Sequence, residues 1–148
     1  MKFSINKKDF VNYVQHVTQI VPSKPAMQIV GSVLLECSEE LSSVKLATTD
    51  LNITVVVDIN ANILESGVIC ISAKSFSDII QAMPDSMIFF ETIDDKLKIT
   101  CEKSSFNLNY MDTSMFPVVP SYNRDNELIL DKKTFSKMVE NTSFATGA

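Results

Sequence analysis

The sequence has 148 residues, 45% hydrophobic and 21% charged, with a net charge of −5; this is ordinary globular composition and argues against a disordered chain. Its charge-free stretches fall short of the ~18 apolar residues that cross a bilayer, and the opening MKFSINKKDF has no apolar signal core. A soluble, unexported, cytoplasmic protein with no membrane partner is expected. The acidity argues against nucleic acid as a partner, but it is uneven: residues 1–30 carry +3 and the remainder −8, so one basic region remains open to a polyanion.

The chain opens with a short strand, Phe3–Ile5. Asn6 then reads as a helix N-cap, because its side-chain oxygen can accept free N–H groups of the first turn. Phe10, Val14, Val17 and Val21 recur at helical spacing and predict one buried face. The opposite face carries Lys8, Asn12, Gln15 and Gln19. Three strands are predicted next, SVLLEC, VKLATT and ITVVVDI, with a polar turn SEELSS between the first two. A second strand, Val68–Ile71, leads to N-cap Ser72 and a helix with an apolar stripe of Phe76, Ile79, Ile80 and Met83 and a polar face of Lys74, Ser77 and Gln81. The strands MIFFET, LKITCE and FNLNYM follow. In FNLNYM the alternation of Phe106, Leu108 and Tyr110 predicts one buried and one exposed face.

The second unit repeats the first. Ser72, Lys74, Phe76 and Ile80 match Asn6, Lys8, Phe10 and Val14 at an offset of 66 residues. A third copy starts at LILDKKTFSKMV, where Asp131, Lys133, Phe135 and Val139 match the same four positions at an offset of 125. Repeats of this length mark one supersecondary unit used several times. The expected fold is α+β: duplicated βαβββ units, about 1–66 and 67–122, with two helices packed on antiparallel sheet. Residues 123–148 are expected to form a linker plus the first strand and helix of a truncated second domain, FPVVPSYNRDN reading as the connection. An amphipathic helix with nothing to pack on is poorly stable, so the chain reads as a fragment of a longer protein.

Signs of catalysis are few. His16 is the only histidine and lies off the apolar stripe, and no cysteine pair accompanies it, so no metal site is expected. Cys37, Cys70 and Cys101 sit in apolar runs and read as small buried hydrophobes. Asp94–Asp95 and Glu39–Glu40 fall in predicted turns, where acidic residues are favoured by solvation. Three glycines cannot build a phosphate loop. The polar helix faces suit water-tolerant contact with phosphates and read no base sequence.

The segments MKFSI, PSKPAMQIVGSVLLE, TTDLNITV, ISAKSFSDIIQAMP, FNLNYMDTSMFPVVP and ELILDKKTFSKMVENTSFA together resemble, in order and spacing, the bacterial sliding-clamp family, the β subunit of DNA polymerase III. The resemblance covers the whole chain. It implies the DNA-clamp fold and a non-catalytic replication processivity factor without cofactors: a head-to-tail homodimer ring encircling double-stranded DNA and tethering the polymerase. It implies DNA contact by Lys24, which stands where the family usually has arginine, and a DNA-facing role for the helix residues Lys8, Asn12, Gln15 and Lys74. Phe106 and Leu108 match an apolar pair on the edge strand of the dimer interface, with Lys103 beside it and Lys74 near the ring seam. The catalytic subunit and the clamp loader would bind through later domains absent here. Gln28 and Asn52 depart from the usual proline and acidic residue. A stand-alone duplicated α+β interaction domain that never meets DNA is the alternative.

Overall fold

A computed structural model describes residues 1–22, 24–25, 27–119 and 128–146. The elements run β1 (Lys2–Asn6), α1 (Lys7–Thr18), β2 (Ser32–Ser38), β3 (Ser43–Thr49), β4 (Thr54–Asn60), β5 (Asn62–Glu65), β6 (Gly67–Ser72), α2 (Ala73–Ala82), β7 (Met87–Ile93), β8 (Lys96–Cys101), β9 (Ser104–Met111) and α3 (Lys132–Ser143). All three expected N-caps are made. Asn6 Oδ1 accepts from Lys8 N at 3.0 Å, Ser72 Oγ from Ser75 N at 3.4 Å and Asp131 Oδ1 from Thr134 N at 3.0 Å. Each satisfies a backbone donor that the helix cannot.

The strands form one antiparallel sheet in the order β4-β3-β2-β6-β9-β8-β7-β1-β5. This order changes the meaning of the repeat. The leading strand β1 of the first unit pairs with β7 of the second, and β6, which leads the second, pairs with β2 of the first. The units exchange their leading strands, so neither closes a sheet alone. Along the sheet the two halves are joined by the pairing of β6 with β9, through Cys70↔Met111 and Ile71↔Tyr110, and β5 also approaches β2 and β3. Residues 62–65, for which the sequence reading names no element, form β5 on the outer side of β1, with Phe3 opposite Ile63.

Both helices pack against one another and against the sheet, α1 on β1, β3 and β4 and α2 on β2, β6 and β9. Phe10, Val14 and Val17 of α1 and Phe76 and Ile80 of α2 are fully buried, with Met83 beside them. Under them Phe3 and Phe90 stack at 4.3 Å, and Phe90 meets Phe10 edge to face at 5.7 Å. Thr48 Oγ1 donates to Val17 O at the end of α1 and ties that helix to β3. Cys37, Cys70 and Cys101 are free and buried, as their apolar surroundings imply.

Several expectations need correction. Ser77 is buried rather than solvent-facing, its Oγ accepting from Gln81 Nε2 at 2.9 Å. Glu39 does more than hydrate a turn: its Oε1 accepts from Ser66 N at 2.8 Å. The connection after β9 does not leave the body at once, because Phe116 is buried with Ala47 and Cys70. The remainder of that segment, 120–127, lies outside the described residues. Residues 128–130, where the leading strand of the third unit is expected, show no strand. The α3 helix forms, but Phe135, Met138 and Val139 remain about half exposed.

Candidate nucleic-acid interface

Because α1 and α2 lie side by side with their apolar stripes turned to the sheet, their outward faces share one surface. Lys8, Asn12, Gln15 and Gln19 of α1 are exposed there, as are Lys74 and Gln81 of α2. Lys8 and Asn12 line a cleft of about 660 Å³ between α1 and the edge strand β4, together with Tyr13, His16 and Asp58. Lys74 lines a second cleft, of about 390 Å³, between the start of α2 and Pro22 and Pro25 in the loop that carries Lys24. Lys24 is exposed.

The basic character of residues 1–30 is narrower than their charge count. Lys2 pairs with Glu91 at 2.8 Å on the far face of the sheet, a contact that raises the Lys2 pKa and holds the Glu91 carboxyl below its usual value. Lys7 turns inward to the end of α2. Among the described residues Lys8, Lys24 and Lys74 make no ion pair with an acidic side chain. Asp9 and Asp78 sit on the same helices, so the surface is mixed rather than uniformly basic. No group of three or more His, Cys, Asp or Glu residues able to hold a metal occurs among the described residues.

A second feature lies at β9. Its Ser104–Asn109 part pairs with β8 on one side, whereas Tyr110 and Met111, beyond the β8 ladder, pair with β6. The expected edge strand is therefore an edge over its first part alone. Phe106 is 41% exposed there, while Leu108 is half-buried against the core and Lys103 is exposed in the β8–β9 turn. The clean alternation read from the sequence holds for Leu108 and Tyr110 and fails at Phe106. Tyr110 is fixed by its hydroxyl, which donates to Asp94 O at 2.7 Å. Lys74, expected near the same seam, lies in the cleft with Pro22 and Pro25, on a helix that packs on β9 as well as on β2 and β6. The other sheet edges are β4 and β5; nothing in the sequence had singled out β4, although its TVVVDIN run is a free ladder of backbone donors and acceptors.

Among the described residues no helix is long and apolar enough to cross a membrane.

The beta sliding clamp of Helicobacter pylori is 34% identical over 120 residues, which is 81% of this chain and 32% of that protein. A crystal structure of the H. pylori clamp bound to a DNA ligase peptide is 33% identical with a TM-score of 0.76, over 83% of this chain and 34% of that one. The beta subunit from DNA polymerase of Streptococcus pyogenes superposes with a TM-score of 0.90 at 26% identity, over 97% of this chain and 39% of its own. The chain thus spans about a third to two fifths of the length of these relatives. The family described as DNA polymerase III beta subunit, N-terminal domain, matches residues 1–120, and the chain belongs to that family.

Proposed function

We propose that this chain is the first domain, residues 1–122, of a replication processivity clamp, with residues 123–148 opening a second domain. The complete protein would close a homodimeric ring around double-stranded DNA and tether the replicative polymerase. The observation that carries this reading is the shared outward surface of α1 and α2, where Lys8, Asn12, Gln15 and Lys74 stand exposed beside the loop of Lys24. Cations free of acidic partners among amides attract a phosphate backbone without selecting bases. A surface of this kind lets DNA slide. The loss of the arginine fork at Lys24 leaves a point charge, adequate for a passing phosphate and poor for a fixed one.

The seam of the ring would use the open part of β9, with Phe106, Leu108, Lys103 and Lys74. An exposed apolar side chain on an unpaired edge is the combination a strand from another subunit would cover. The role is that of a non-catalytic accessory subunit acting in the cytoplasm. The DNA ligase peptide is bound to the H. pylori clamp; for this protein, polymerase and clamp-loader contacts would fall in later domains.

The test is retention of full-length protein on circular DNA, which a closed ring cannot leave, against linear DNA, from which it slides. Reversing Lys8, Lys24 and Lys74 together to Glu is expected to abolish loading and leave thermal stability unchanged. Equal retention on circles and lines, or no effect of the triple reversal, would favour a stand-alone protein-interaction domain.

A further inference from the structure

Lysine at the start of a helix opposes the helix dipole, which favours anions there and cations at the other end. Lys7 nevertheless occupies the first position of α1. Its side chain is only 14% exposed and turns away from its own helix. Its Nζ donates to Met83 O at 2.5 Å, at the C-terminal cap of α2, and lies 3.5 Å from Asp85 Oδ1. The Lys7 backbone N–H donates to Ser86 O at 3.1 Å. One residue of α1 therefore contacts Met83, Asp85 and Ser86 in the turn that ends α2. An ammonium at helix carbonyls that have no intrahelical donor is the favourable placement of this charge.

We infer that Lys7 is a positioning residue: a C-terminal cap for α2 supplied by α1, which sets the spacing of the two helices whose outward faces carry Lys8 and Lys74. It does not meet a phosphate. The equivalent position in the second repeat is Ala73, which is buried, so the device is used once in the pair and fixes α2 relative to α1. The consequence for DNA contact rests on the proposed clamp function; the capping role does not.

Two experiments separate these parts. In amide hydrogen exchange on the chain, Lys7→Met is expected to speed exchange in the last turn of α2, at Gln81, Ala82 and Met83, about tenfold. Amides of Val14 and Phe76 should stay within about twofold, and Lys7→Arg should restore protection. Uniform acceleration throughout, or no change at α2, overturns the cap. Should Lys7→Met not fold, proton exchange at the wild-type lysine ammonium groups decides: Lys7 is expected to exchange at least about tenfold more slowly than Lys8, and equal rates overturn the proposal. In DNA binding by the full-length protein, Lys8→Met should reduce the slope of log affinity against log salt by about 0.9, whereas Lys7→Met should weaken binding with the slope unchanged. A slope lowered by Lys7→Met as much as by Lys8→Met would place Lys7 on DNA and overturn the assignment. If Lys8→Met and the Lys8/Lys24/Lys74 reversal both leave DNA binding intact, the clamp reading fails while the exchange result still decides the cap.

Discussion

Phe10 of α1 and Phe76 of α2 meet edge to face with ring centroids 6.0 Å apart, and they are the same position of the two repeats. Both rings also rest on Phe90, so the repeat is joined to itself at the middle of the core. Phe76→Ala is expected to cost about 3–5 kcal/mol, and the Phe10/Phe76 pair a further coupling of about 0.5–1.5 kcal/mol. Urea unfolding of the two single variants and the double variant measures both; strict additivity would mean that the rings act independently.

Gly67 opens β6 under the first residue of the chain. A Cβ built there would lie 2.8 Å from Met1 Cβ and 3.3 Å from Met1 Cα, and Met1 is itself buried. Because backbone as well as side chain must move, Gly67→Ala is expected to destabilise by about 1–3 kcal/mol, as overpacking does. Thermal melting checks this, with Gly31→Ala for comparison: there the added Cβ meets Pro25 ring atoms at 2.9 and 3.5 Å, side chain rather than backbone.

The three thiols should be silent in the folded protein. Burial pushes Cys37 up to about 12 and Cys70 up to about 11, and it raises Cys101 as well. Thiolate is the reactive species. Labelling with a disulfide reagent at about pH 8 is therefore expected to modify none of the three before denaturation and all of them after it.

Asp50 closes the β3–β4 hairpin by accepting from Asn52 N at 2.8 Å and Ile53 N at 2.7 Å, and these donors hold its carboxyl below the usual range. A depressed folded pKa stabilises fully above the unfolded value of about 3.9 and loses that contribution as pH falls through the folded pKa. Asp50→Asn should lower the urea midpoint at neutral pH and converge with the wild type as pH falls through the depressed folded pKa of Asp50. A gap independent of pH would assign the effect to shape rather than charge.

Phe106 and Leu108 should separate by assay. Leu108 packs on the core and Phe106 does not, so Leu108→Ala, at a half-buried site, is expected to cost about 2 kcal/mol, the low end for leucine, and Phe106→Ala within about 0.5 kcal/mol. Phe106→Ala should instead reduce self-association of the chain in sedimentation at high concentration. If it lowers stability as much as Leu108→Ala, the open edge of β9 is part of the core.

The helices, their caps and most strand limits were legible in the sequence because they depend on local chemistry. A side-chain oxygen at Asn6, Ser72 or Asp131 caps whatever helix follows it, and a 3.6-residue stripe must be buried wherever the helix lies. Which strand neighbours which depends on contacts far apart in the chain. The exchange of β1 and β6 between repeats, the pairing of β5 with β1 and the half-open edge of β9 were therefore settled only in three dimensions. The same holds for the candidate interface. Sequence placed Lys8, Asn12, Gln15 and Lys74 on polar faces, but Lys7 carries the same charge one residue from Lys8 and points the other way, into the end of α2. A charge count sees both alike; only packing decides which ammonium is spent on the fold and which remains free for a partner.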